Sequence, residues 1–98
     1  MRIIAPRTLR DFWEAGHADS EQALRAWLSE VRNASWEGMV DIKARYPSAS
    51  VIDSERVVFN IRGNNYRLVV KVWFPGQMVF IKFVGTHAGY DRVDVTKL

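Results

Sequence analysis

The sequence predicts an α+β domain in which a short N-terminal strand and two to three helices pack on one face of a mainly antiparallel β-sheet. Two observations carry this. Up to Tyr46 the apolar side chains recur at helical spacing; from Ser50 they give way to runs rich in valine, isoleucine and aromatics, SVID, RVVFNI, YRLVVKVWF and MVFIKFVGT. The joins DSE, RGNN and PGQ are short and hold turn formers, so consecutive strands are expected to pair as hairpins in a meander.

Taken in order, Arg2 to Ala5 reads as the first strand, and Pro6 suits the start of a helix whose Leu9, Phe12 and Trp13 share a face until Gly16. A second helix is expected after Asp19, with Asp19 capping the free amides and Gln22 completing a capping box. Its apolar stripe is Leu24, Trp27, Leu28 and Val31. Ser35 is expected to open a third helix that sets Trp36, Met39 and Val40 on one side and ends at Tyr46, because Pro47 disfavours helical geometry before it. The tryptophans read as packing residues.

A chain of 98 residues, 48% of them hydrophobic, is expected to form a single domain spanning 1–98. The absence of cysteine excludes a disulfide framework, a thiolate zinc site and a cysteine nucleophile. The N-terminal MRIIAPRTLRDFW has too brief an apolar run for a signal peptide and no stretch has the length of a membrane span, so a cytoplasmic protein without a membrane partner is expected.

Charge is unevenly placed. Residues 1–55 hold seven basic and nine acidic side chains, whereas 56–90 hold Arg56, Arg62, Arg67, Lys71 and Lys82 and no acid. Such a block points to an anionic partner. Alternation along the strands puts Val57, Phe59 and Ile61, then Tyr66, Leu68, Val70, Val72 and Phe74, then Val79, Ile81 and Phe83 on the helix-packed face. The opposite face then carries Arg56, Val58, Asn60 and Arg62, next Arg67, Val69, Lys71 and Trp73, and finally Met78, Phe80, Lys82 and Val84. Cations interleaved with Trp73 and Phe80 suit a surface that holds phosphates while bases stack on rings.

A metal site is poorly supported, because His17 and His87 stand on different elements and the cationic face has no carboxylate. No nucleophile-elbow motif surrounds any serine. What remains is metal-free acid–base chemistry on RNA, whose own 2′-hydroxyl is the nucleophile, with no cofactor required. The segment GTHAGYDRVD (85–94) supplies the groups: His87 and Tyr90 stand three apart just after the last strand, so both rings can lean toward one spot beside the cations. Histidine as a residue type exchanges protons near neutral pH, and tyrosine donates a hydrogen bond or proton.

The segments DIKARYPSASVID, RVVFNIRGNNYRLVVKVWF and FVGTHAGYDRVD, in this order and spacing, resemble the HigB toxins of the RelE/ParE superfamily of bacterial type II toxin–antitoxin systems. The resemblance covers nearly the whole chain and is strongest over residues 41–94. It implies a RelE-like, microbial-RNase-like fold, messenger RNA cleavage that arrests growth (an mRNA interferase), association with the ribosome, and neutralisation by a HigA-like antitoxin with a helix-turn-helix domain. Carried over, Arg67, His87 and Tyr90 are the implied catalytic residues, and Asn60, Arg62 and Asn65 fall in the matching FNIRGNNYRL region as RNA contacts; Lys82, adding charge nearby, joins the catalytic set on the face argument. Arg56, Lys71 and Trp73 join them as RNA contacts on the face argument alone. The ParE branch shares the fold but inhibits DNA gyrase, so a non-enzymatic toxin is the competing reading, and a basic binding module without catalysis is a third.

Overall fold

The computed structural model describes residues 1–98. The elements follow in the order β1 (Arg2–Ile4), α1 (Arg7–Glu14), α2 (Glu21–Arg32), α3 (Met39–Arg45), β2 (Ser50–Val51), β3 (Arg56–Ile61), β4 (Tyr66–Trp73), β5 (Met78–Thr86) and α4 (His87–Asp91), with 3₁₀ turns at Ala18–Ser20 and Val95–Lys97. The five strands form one sheet ordered β1-β5-β4-β3-β2. β3, β4 and β5 make the expected antiparallel meander, and β1 lies parallel to β5 at the edge, a pairing between distant segments that no local pattern announces. No helix is long and apolar enough to cross a membrane.

The helical layer is built from the stripes read in the sequence. Leu9 and Trp13 of α1 and Leu24, Trp27, Leu28 and Val31 of α2 are all buried against Val57, Phe59, Ile61, Leu68, Val70, Val72, Val79 and Ile81 of the sheet. Trp36 and Tyr46 complete the cluster around Phe59, Tyr46 meeting its ring edge-on at 5.0 Å between centroids. Aromatic contacts of this kind hold the helices in register over the sheet.

Four local expectations are corrected. Asp19 caps no helix: it sits in a 3₁₀ turn, where its carboxylate accepts hydrogen bonds from the Tyr66 hydroxyl and from Arg62, 2.9 Å away. The third helix begins at Met39 and not Ser35, because Gly38 is extended and the Asp41 carboxylate captures the Glu37 amide at 2.8 Å. Val40 accordingly points to solvent, 81% exposed. The SVID strand shortens to Ser50–Val51, since the Asp53 carboxylate takes the amides of Glu55 and Arg56 at 2.9 and 2.8 Å and turns the chain out of the ladder.

The fourth correction bears on the site. Val69 pairs with Phe83 but Val70 with Ile81, which leaves Lys82 as the extra residue of a β-bulge. A bulge resets the alternation beyond it. Phe83, expected in the core, therefore turns to the opposite face, and Val84, expected on that face, packs against the core.

Candidate active site

The face away from the helices is not an open sheet. Val58 and Val69 lie on it, outside the main core cluster, yet are 1% and 0% exposed. α4 packs on β4 and β5, and the chain end reaches β3, where the Arg56 Nε donates to the Leu98 carbonyl at 3.1 Å. The Thr86 hydroxyl starts α4 by accepting from the Gly89 amide at 3.1 Å. The helix then rests over Phe83, whose ring lies so close on Gly85 that a Cβ there would meet it at 2.6 Å. Glycine at 85 is what lets the ring lie flat.

This seating brings the candidate chemistry together. Arg67 sits opposite Gly85 on β5 and opposite Asn60 on β3, so the three form one row across the face. The Arg67 guanidinium lies 5.4 Å from the centroid of the Tyr90 ring, held by the ring's quadrupole. His87, on the same short helix, projects from its first turn.

Buried polar atoms are normally paired, so those that are not call for an explanation. Four buried side-chain atoms lack a hydrogen-bond partner, and three of them, Asn60 Oδ1, Arg67 Nε and His87 Nε2, sit on the Asn60–Arg67–Gly85 row and on the helix that follows it. The fourth is Trp27 Nε1, in the helical core. The corner thus combines an uncompensated cation, a histidine and a phenol, the inventory needed to hold a phosphodiester and move protons around it.

The family model for HigB toxins, described as the RelE-like toxic component of a toxin–antitoxin system, matches residues 20–93. The chain belongs to this family. The match takes in Asn60, Arg67, His87 and Tyr90 and every strand but β1. Curated relatives are the "mRNA interferase toxin HigB" of Escherichia coli K12 and the "mRNA interferase HigB" of Escherichia coli O157:H7 and of Shigella flexneri. Each is 29% identical over 93 residues, covering 93% of this chain and 88% of the relative. As a toxic component of such a system the chain has an antitoxin as its partner.

Within this HigB-family chain the remaining candidate residues divide. Three of the five cations from the acid-free block are ion-paired, with carboxylates that lie outside that block in sequence. Arg56 is joined to Asp53 at 2.8 Å, Arg62 to Asp19 at 2.9 Å and Lys71 to Glu55 at 3.5 Å. Arg62 is drawn to the helical side by this pair and does not stand free on the cationic face as alternation suggested. Arg67 and Lys82 have no such partner. Lys82, at the bulge, lies 5.9 Å from the Phe80 ring, between the Arg67 row and the far end of the strands. Asn65 is exposed in the turn that leads into β4, and Asn60 donates to the Ser48 carbonyl at 3.2 Å. Lys71 and Trp73 stand well away from Arg67; Trp73 is six residues further along β4, about 20 Å at the usual rise per residue.

Two residues escaped the sequence reading. Arg2 pairs with Met78 and Ile3 packs in the core, so Arg2 projects on the cationic face as an extra charge. Phe83 reached the same face through the bulge. Alternation within β1 hinted at the first, but only the β1–β5 pairing says what Arg2 stands beside. No three histidine, aspartate or glutamate side chains converge as a metal site would require. The larger concavity, about 770 Å³, lies on the outer helical layer, where Arg7, Arg10 and Arg25 are paired with acids on their own helices. It offers no acid–base group comparable to His87 and Tyr90.

Proposed function

We propose that this chain is an mRNA interferase: the toxin of a type II toxin–antitoxin pair, cleaving messenger RNA without a metal and arresting translation and growth. The observation that carries the reading is the corner where unpartnered Arg67 lies under Tyr90 beside His87. The relatives named as mRNA interferases support the same chemistry. Arg67 binds the scissile phosphate and neutralises the charge that builds on its non-bridging oxygens. The 2′-hydroxyl oxygen attacks phosphorus, and His87 and Tyr90 share the two proton transfers, one removing the hydroxyl proton and the other protonating the departing 5′-oxygen. The P–O2′ bond forms as the P–O5′ bond breaks, giving a 2′,3′-cyclic phosphate and a 5′-hydroxyl. Asn60 orients the phosphate from β3, and Lys82 adds positive charge along the path of the strand.

The antitoxin is a HigA-like helix-turn-helix protein that masks or distorts this face, and the ribosome presents the message. Induction in growing cells with mapping of transcript ends tests the reading. Cuts within translated regions, cyclic or 3′-phosphate ends and activity that survives EDTA are expected. Intact messages beside stalled DNA replication would move the assignment to a gyrase-directed toxin.

A further inference from the structure

The cationic face has a second concavity, of about 290 Å³, at the end of β4 and β5 opposite to α4; it is lined by Glu55, Lys71, Val72, Trp73, Phe80 and Lys82. We propose that it is a stacking subsite for an unpaired base of single-stranded RNA, remote from the point of cleavage. The inference rests on the nuclease reading and adds to it a place where the same strand is gripped.

Three observations support it. Trp73 is 54% exposed, whereas Trp13, Trp27 and Trp36 are 6%, 3% and 4% exposed, so a large ring is presented to solvent at this one position. It is held there: Gly76 in the following turn lies so close to the ring that a Cβ would come within 2.3 Å, and the ring borders the concavity. Phe80, beside Lys71 on the neighbouring strand, adds a second ring.

The charges around the rings favour a polyanion. Glu55 is engaged by Lys71, which leaves Lys82 without a carboxylate, and Arg2, next to Met78 on β1, also has none. Because the bulge puts Lys82 between the Arg67 row and Phe80, cations and rings form a track along β5 from the cleavage corner to the pocket. Stacked rings interleaved with phosphate-binding cations are the general way single strands are held without regard to sequence.

A non-cleavable 2′-O-methyl RNA of about ten nucleotides, long enough to span both sites, and a dinucleotide, which is not, separate the possibilities. The longer RNA is expected to quench the tryptophan emission of the parent, because Trp73 is the exposed indole. Its affinity is expected to fall about tenfold or more in Trp73→Ala and much less in Trp73→Phe, while the dinucleotide distinguishes none of the three. Lys82→Ala is expected to lower the salt dependence of binding by about one phosphate contact. Equal affinity of parent and Trp73→Ala, or absence of quenching, overturns the proposal. So does shielding of Trp73 from iodide by the antitoxin and not by RNA, which would make the pocket a protein interface. Transcript cleavage by the parent in cells is read separately: its absence sinks the nuclease reading, whereas cleavage with unaltered Trp73→Ala binding sinks only the subsite.

Discussion

Arg67 and Tyr90 face each other across the end of the sheet, guanidinium to ring at 5.4 Å, and neither is tied to a carboxylate. The contact joins β4 to the short helix α4 and sets a permanent charge beside a phenol. The same geometry that steadies the chain end thus builds the corner proposed for catalysis, so substitutions must separate the two roles.

Removing the charge at the corner should abolish chemistry and leave the fold. Arg67→Ala is expected to reduce RNA cleavage by at least about 100-fold, as for other lost transition-state donors. The thermal midpoint should fall only slightly, by the cation–π contact to Tyr90 worth about 0.5–1 kcal/mol, since the side chain lies on the face away from the main core. A variant as toxic as the parent would show that the phosphate binds elsewhere.

Tyr90→Phe keeps the ring against Arg67 and deletes only the hydroxyl. If the phenol takes part in proton transfer, cleavage should drop by about 100-fold, within the usual range for a general acid or base, with unfolding unaltered. Tyr90→Ala should add a loss of stability of about 0.5–1 kcal/mol from the missing cation–π contact. Equal cleavage by Tyr90→Phe and the parent would leave His87 as the sole proton-transfer group.

Gly85→Ala tests how α4 is seated. The new methyl would lie 2.6 Å from the Phe83 ring, which must tilt toward α4 and Gly89. Overpacking of this kind costs about 1–3 kcal/mol, and displacement of the helix should lower cleavage as well. Chemical denaturation and a cleavage assay on the same preparation check both, and a variant indistinguishable from the parent would refute the seating argument.

The Asp19–Tyr66 pair makes the alkaline limb of stability informative. The hydrogen bond to Asp19, aided by burial and by the carboxylate's charge, pushes the Tyr66 hydroxyl above its ordinary value of 10.0. A phenol raised in the folded state contributes stability that is complete below pH 10 and disappears as pH climbs through the raised folded value. Asp19→Asn should therefore start less stable near neutrality and lose less between pH 10 and the raised value. Spectrophotometric titration should also show one fewer late-ionising tyrosine, and an unchanged alkaline limb would rule out the pair as the cause.

Much of this was legible locally. The helical stripes of α1 and α2 appear as read, and the hairpins fall at DSE, RGNN and PGQ, because apolar periodicity and turn chemistry are properties of short segments. That His87 and Tyr90 share one helical turn, three apart, was readable for the same reason. Errors arose where a side chain found a better partner than its neighbours. Asp19 left its capping role for Tyr66 and Arg62, and Asp53 cut β2 short.

The sequence by itself determined α1, α2 and the three long strands, which face of β3 and β4 is apolar, and that a cationic set with two rings occupies the other, but not where α3 begins or how short β2 is. Tertiary structure alone decided which of those cations remain uncompensated. Asp19 reaches Arg62 across 43 residues, and Glu55 and Lys71 meet only because β3 and β4 pair. It also decided that Lys82 is bulged, that Phe83 therefore floors α4, and that Arg2 stands beside Met78. The physical reason is that alternation and helical period repeat within one segment, whereas ion pairing and strand register are set by distances between segments that only folding brings close.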